Sequence, residues 1–306
     1  DKTVAGLQAG KNGVDKEVSE VIVRDAGVDK TAFASGPKIY AWGNDSSNQV
    51  SNTPTGSGFT AIAGNWEHGF ALDSNGQVHA WGSNSENQIS NAPTGSGFTA
   101  IAGSAENGYV LDSNGQITAW GNDFGNQVSN PPTGSGFTAI AGAFFAIALD
   151  SNGQITAWGD DFDSAVSAAP TGSGFTAITT GISHGYALDS NGQITAWGND
   201  TNNQVSTTPT SSGFTVIDAG KNNGYALDSS GQIYAWGIDT FNQVSNAPTG
   251  SGFTAIAAGR DHALALDSNG QITAWGNDSS NQVSNTPTGS GFTAIASGRF
   301  HSYALK

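Results

Sequence analysis

The chain has 306 residues, 43 of them glycine, with no cysteine, no methionine and a formal net charge of −15. Without cysteine, neither disulfides nor thiolate metal sites can hold the fold, so its stability comes from packing. The longest apolar run, Ala143 to Leu149, falls short of the ~18 residues a membrane helix needs. The abundance of glycine, serine, threonine and asparagine points to short strands joined by many turns.

The charge is unevenly placed. Residues 1–38 carry six basic and six acidic side chains, whereas the remainder carries four basic and nineteen acidic ones. Such a body repels phosphate backbones, so no nucleic-acid partner is expected. A chain that opens on Asp1 and holds no methionine reads as one whose leader has been removed, and it is expected to be secreted or held at the cell surface.

In chain order, residues 1–37 are an N-terminal extension and 38–306 the main domain. The stretch VIVRDAGVDKTAFASGPKIYAWG, Val21 to Gly43, aligns with small gaps on VIDAGKNNGYALDSSGQIYAWG, Val216 to Gly237, and reads as a worn copy of part of the repeat described below. Val18, Val21, Ile22, Val23 and Phe33 give this segment the content of a strand pair suited to adding onto another molecule's edge. Val14, Val18, Val21 and Ile22 also fit a helical face, and both readings stand.

From Ile39 onward the chain repeats. Ala-Trp-Gly recurs with tryptophan at 42, 81, 120, 158, 197, 236 and 275, one step being 38 residues and the other five 39. Each copy reads as four strands: QITAWG, a brief outer NQVS, FTAIA and HGYALD. The hairpin sequence DSNG and the loop PTGSG separate them. A sheet of such short strands cannot bury both faces alone, so neighbours must stack on it. Seven copies closing radially predict an all-β, seven-bladed propeller of four-stranded antiparallel blades with an N-terminal β-rich extension. The last copy stops at HSYALK and the first begins at KIYAWG, so residues 299–305 are expected to pair with 38–43. The extension competes for the same slot. The seven tryptophans read as wedges between blades.

These units, with Ala-Trp-Gly, the downstream Gln-Val or Gln-Ile, the proline and the paired AIAxG and HxxAL strands at fixed spacing, resemble the regulator of chromosome condensation repeat family. The layout is similar to that of its secreted bacterial members, among them a type II β-lactamase-inhibitory protein. The resemblance implies a seven-bladed propeller and does not fix a function. One departure is that the family's Gly-Gln before the outer strand is Asn-Gln in most copies (Asn48-Gln49, Asn281-Gln282) and Ser164-Ala165 in the fourth.

Alternating strand direction puts DSNG and PTGSG on one rim, nearly identical in every copy. There Asp73, Asp112, Asp150, Asp189, Asp228 and Asp267 are expected to accept hydrogen bonds within their own hairpins. The other rim varies from copy to copy. Its candidate partner-binding residues are Trp66, Glu67, Phe124, Phe144, Phe145, Phe162, Asp163, Phe241 and Phe300, aromatics set among acids in the manner of interface anchors. His68, His184, His262 and His301 share one repeat position with Asn107 and Asn223, which favours a structural role over proton transfer. No cofactor, metal site or catalytic group is expected. The leading expectation for function is an exported building block that self-assembles head to tail through its N-terminal segment, forming a homopolymer. The alternative is a monomeric protein-binding module or enzyme inhibitor acting through the variable rim.

Overall fold

A computed structural model describes residues 23–25, 28–30 and 36–306, and the chain divides into two units, Asp1–Ser35 and Gly36–Lys306. In the first unit β1 (Val23–Asp25) and β2 (Val28–Lys30) form a two-stranded antiparallel sheet of their own. Val23 lies in β1, whereas Val18, Val21, Ile22 and Phe33 fall outside the described residues.

The second unit opens with β3 (Ile39–Gly43). Six repeats of three strands follow. They are β4–β6 (Phe59–Gly64, His68–Asp73, Val78–Gly82), β7–β9 (Phe98–Gly103, Asn107–Asp112, Ile117–Gly121) and β10–β12 (Phe137–Gly142, Phe145–Asp150, Ile155–Gly159). Next come β13–β15 (Phe175–Thr180, His184–Asp189, Ile194–Gly198), β16–β18 (Phe214–Ala219, Asn223–Asp228, Ile233–Gly237) and β19–β21 (Phe253–Ala258, His262–Asp267, Ile272–Gly276). The chain finishes with β22 (Ala294–Ser297) and β23 (His301–Leu305), which take β3 as their third strand.

The C-terminus therefore closes the ring. His301 to Leu305 pair with Gly43 to Ile39, and Lys38 and Lys306 exchange backbone hydrogen bonds of 2.6 and 3.0 Å. Each inner strand touches the inner strand of the next sheet, from β4 through β7, β10, β13, β16, β19 and β22 back to β4. The ring has no open edge between blades.

Each blade has three strands, not four. The segment expected as an outer strand, Asn-Gln-Val-Ser in most copies, forms a compact turn in which Asn52 N–H reaches Asn48 C=O and Thr53 N–H reaches Val50 C=O. The Asp45 carboxylate accepts from the amides of Val50 and Ser51 at 2.8 and 2.9 Å, occupying donors that a strand would offer to a ladder. Asp123, Asp161, Asp200, Asp239 and Asp278 repeat this arrangement in their own turns. The turn also needs a left-handed residue, supplied by Asn48 and by Asn87, Asn126, Asn203, Asn242 and Asn281. Asparagine is among the few non-glycine residues that tolerate that region, which accounts for Asn-Gln at this turn. In the fourth copy both Asp163 and Ser164 are left-handed and a 3₁₀ turn covers Phe162–Ser164.

Packing lies between blades, where each of the seven hydrophobic clusters joins two neighbouring sheets. The tryptophans are the wedges the spacing predicts. Trp81 Nε1 donates to the Gln49 carbonyl of the preceding blade at 3.0 Å, and Trp120, Trp158, Trp236 and Trp275 do likewise to Gln88, Gln127, Gln204 and Gln243. Trp42 reaches Gln282 across the closure, and Trp197 uses the Ala165 carbonyl. A backbone acceptor does not depend on the side chain that carries it, so the Gln-to-Ala change in the fourth copy leaves this link intact.

Candidate functional site

The two rims differ in how their polar groups are used. On the hairpin rim, Asp112 Oδ1 accepts from the Asn114 and Gln116 amides at 2.8 Å each, and the other five aspartates of the set make the same pair of bonds. The Gln116 amide, with that of Asn114, holds the Asp112 carboxyl below the usual carboxylate range. Gly76 and its counterparts take a positive φ of about 70° there, a region that a side chain disfavours. These acids are structural, as the hairpin reading expects.

The opposite rim is built from the loops after each inner strand and the turns after each third strand, tied together by bonds such as Ser83 N–H to Glu67 C=O at 2.9 Å. Its candidate residues fall into two groups. Phe124, Phe162 and Phe241 stand on the outer turns and are 94%, 66% and 43% exposed. Asp163, beside Phe162, accepts a 2.6 Å hydrogen bond from Asn199 of the next blade.

Trp66, Phe144 and Phe300 cluster on this rim with two arginines. Trp66 meets Phe144 edge-on with centroids 5.4 Å apart. The Arg299 guanidinium lies 5.1 Å from the Trp66 ring and 5.0 Å from that of Phe300, and Arg260 lies 5.3 Å from Phe300. Glu67 sits at the margin, accepting from Ser47 Oγ at 3.0 Å with its other oxygen 3.9 Å from Arg299.

Phe145 does not reach this rim. It is fully buried in β11, at the repeat position that His68, His184, His262 and His301 occupy elsewhere. The one-residue deletion in this copy puts Phe145 at the histidine position and Phe144 at that of Glu67, so only Phe144 stays on the rim, against Trp66. The four histidines are likewise buried. Burial pushes the imidazoles of His68 and His301 down to about 3 and those of His184 and His262 to about 4, so they are neutral in the fold.

At the centre of the rim an axial pocket of about 110 Å³ is lined by residues from all seven blades. Gly259 and its equivalents let the blades close around it, since a Cβ there would stand 2.7 Å from the Gly298 carbonyl oxygen of the next blade. The wall includes Trp66, Ala105, Ile182, Lys221, Arg260 and Arg299. The three cations escaped the sequence reading. Their signal was nonetheless present, as a basic residue two places before the His or Asn position in three consecutive copies. Among the described residues, no group of three or more His, Asp or Glu side chains converges as metal ligands would.

A closed ring of seven stacked antiparallel sheets bearing one variable rim defines a β-propeller. The chain carries regulator of chromosome condensation (RCC1) repeats, matched at residues 59–88 and 253–282. Its fold is similar to that of Prp20p from Saccharomyces cerevisiae, with a TM-score of 0.73 and 17% identity over 88% of this chain and 91% of that one. Prp20p is described together with its binding to Gsp1p and histones, and also in complex with Kap60. Human WBSCR16 gives a TM-score of 0.72 at 13% identity, covering 88% of this chain and 98% of that one. The ectodomain of the Physcomitrella patens receptor kinase CR4 gives 0.66 at 22% identity, covering 78% and 68%. No curated protein matches the chain in sequence.

Proposed function

We propose that this chain is a protein-binding propeller that docks its partner on the variable rim. The observation that carries this reading is the placement of Phe124, Phe162 and Phe241. The described residues hold four large hydrophobics that are exposed, and these three stand on equivalent turns of that one rim. Exposed aromatics on rigidly held loops bring large contact area at little entropic cost, which is why interfaces concentrate them. The structural neighbour Prp20p has protein partners, which agrees with this use of the fold. An immobilised full chain, the variant Phe124→Ser/Phe162→Ser/Phe241→Ser and the hairpin-rim variant Asp112→Ala would each be offered one extract. A partner kept by the first and third and lost by the second supports the docking face. Equal retention by all three overturns it.

A second reading is self-assembly through the N-terminal segment, favoured by the closure itself. Residues 36–306 complete all seven sheets, so the ring does not need the β1–β2 segment for its clasp. A strand pair without a place in the ring is then available to a neighbouring copy. Sedimentation of the full chain against residues 37–306 tests this. Assembly that disappears on truncation supports it, and a monodisperse full-length monomer removes it.

A further inference from the structure

Three of the four basic residues beyond Lys38, namely Lys221, Arg260 and Arg299, stand at one repeat position of consecutive blades and line the same axial pocket. In a body of such strong negative charge, chance drift would scatter cations rather than collect them at one mouth. We propose that this pocket is an oxyanion-binding site, taking a single phosphate or carboxylate group through Lys221, Arg260 and Arg299.

Size supports a small group. At about 110 Å³ the pocket is well under the ~300 Å³ at which drug-sized ligands begin to fit. Its donors are also underused. Among the described residues Arg299 Nε finds no hydrogen-bond acceptor, and Arg260 Nε, although 3.2 Å from Asp261 Oδ2, lacks the alignment of a hydrogen bond. The rings of Trp66 and Phe300 hold the guanidinium faces, which leaves the N–H edges to meet a ligand. Asn65, 4% exposed, lines the same pocket with neither amide atom partnered, and a buried amide in that state is costly unless something completes it.

Opposing charge has been placed with care. Asp261 pairs with Arg260, and Glu67 lies 3.9 Å from Arg299 at the margin. The buried Asp218 carboxylate is occupied by the Thr179 hydroxyl and the Ala219 and Ala258 amides. Glu106, on the loop after β7, is held at 2.8 Å by the Asn122 side-chain amide and does not line the pocket, and the remaining acids of this rim sit on the outer turns, where water and salt screen charge over ~10 Å at 0.1 M. Among the described residues no carboxylate stands within ion-pair distance of Lys221, although Asp261 acts on it, and on Arg299, at longer range.

The site does not rest on the docking reading, because it can be titrated with no protein partner present. Calorimetry of the full chain with inorganic phosphate, and separately with acetate, at fixed ionic strength should show saturable one-site binding of at least one. Phosphate preferred over acetate identifies a phosphoryl ligand, and the reverse identifies a carboxylate. Lys221→Gln should weaken binding about tenfold, as loss of one charge-assisted contact does. Lys306→Gln should change nothing, since that ammonium lies over the Phe292 ring and outside the pocket. Thermal unfolding checks that Lys221→Gln is folded, and Arg299→Gln replaces it if it is not. No saturable binding of either anion, or equal losses in Lys221→Gln and Lys306→Gln, overturns the proposal.

Discussion

The hairpin rim and the pocket rim are made by the same strands from the same repeat, yet they treat polar side chains in opposite ways. On the hairpin rim each aspartate closes its own turn, and all copies agree because the turn has one solution. On the pocket rim the turn aspartates do the same job, but the residues around them are released from it. Phe124 stands in solvent, and the position of Lys221 holds Trp66, Ala105 or Ile182 in other blades. Local bonding explains uniformity, and only what lies outside that bonding is free to differ. That freedom is where binding can be written.

The largest effect should come from the scaffold both rims share. Trp120→Ala removes a buried indole and its 2.8 Å bond to the Gln88 carbonyl. A loss of about 3–5 kcal/mol in urea unfolding is expected. A loss under about 1 kcal/mol would mean the blades do not depend on their wedges.

Acid comes next. The folded-state values of His68, His184, His262 and His301 lie below the ordinary 6.5, so the unfolded chain binds more protons than the folded one between those limits. The contribution of these histidines is therefore full above pH 6.5 and falls as pH drops towards about 4 to 3, while the carboxyls of Asp218, Asp261 and Glu106, raised by burial, oppose it at the acid end. The lowered carboxyls of Asp112 and Asp161 act in the same direction as the histidines there, since protonation costs them their amide partners. Urea midpoints at pH 7.5, 6 and 5 should decline steadily. His184→Asn, which copies the residue at 107 and 223, should flatten part of that slope while leaving the neutral-pH midpoint nearly unchanged.

Smaller effects separate the rims themselves. Asp112→Ala removes the carboxylate acceptor of two backbone amides in one hairpin and should lower the thermal midpoint slightly, leaving partner retention intact. Phe124→Ala should change stability by no more than about 0.5 kcal/mol, because the ring touches little, while reducing partner retention. A reversal, with Phe124→Ala destabilising and Asp112→Ala abolishing capture, would exchange the roles assigned to the two rims.

Much of this architecture was readable from spacing. Tryptophans at near-fixed intervals, DSNG or DSSG before six of the seven third strands and complementary loose ends at Lys38 and Lys306 predict a closed ring, and the strand pairing bears out the clasp. The outer strand was misread because Gln-Val-Ser alternates like a strand. What decides the outcome is the aspartate five residues upstream of the valine. A bulge was also missed at Thr60 and its counterparts, where the hydroxyl bonds to the carbonyls of Leu72 and Asp73 and the register slips by one. Phe145 was placed on the rim because the deletion in its copy hides which of two adjacent phenylalanines takes the histidine position.

The number of copies, the hairpins and the wedge positions are legible in the residues alone, since these follow from local turn chemistry and from a repeat that must stack to bury its faces. Which terminus fills the last sheet, and which rim residues meet at the axis, is settled by the closure of the ring. Lys221, Arg260 and Arg299 are 39 residues apart along the chain. They become neighbours only because the ring turns sequence period into circular proximity, and no local rule carries that information.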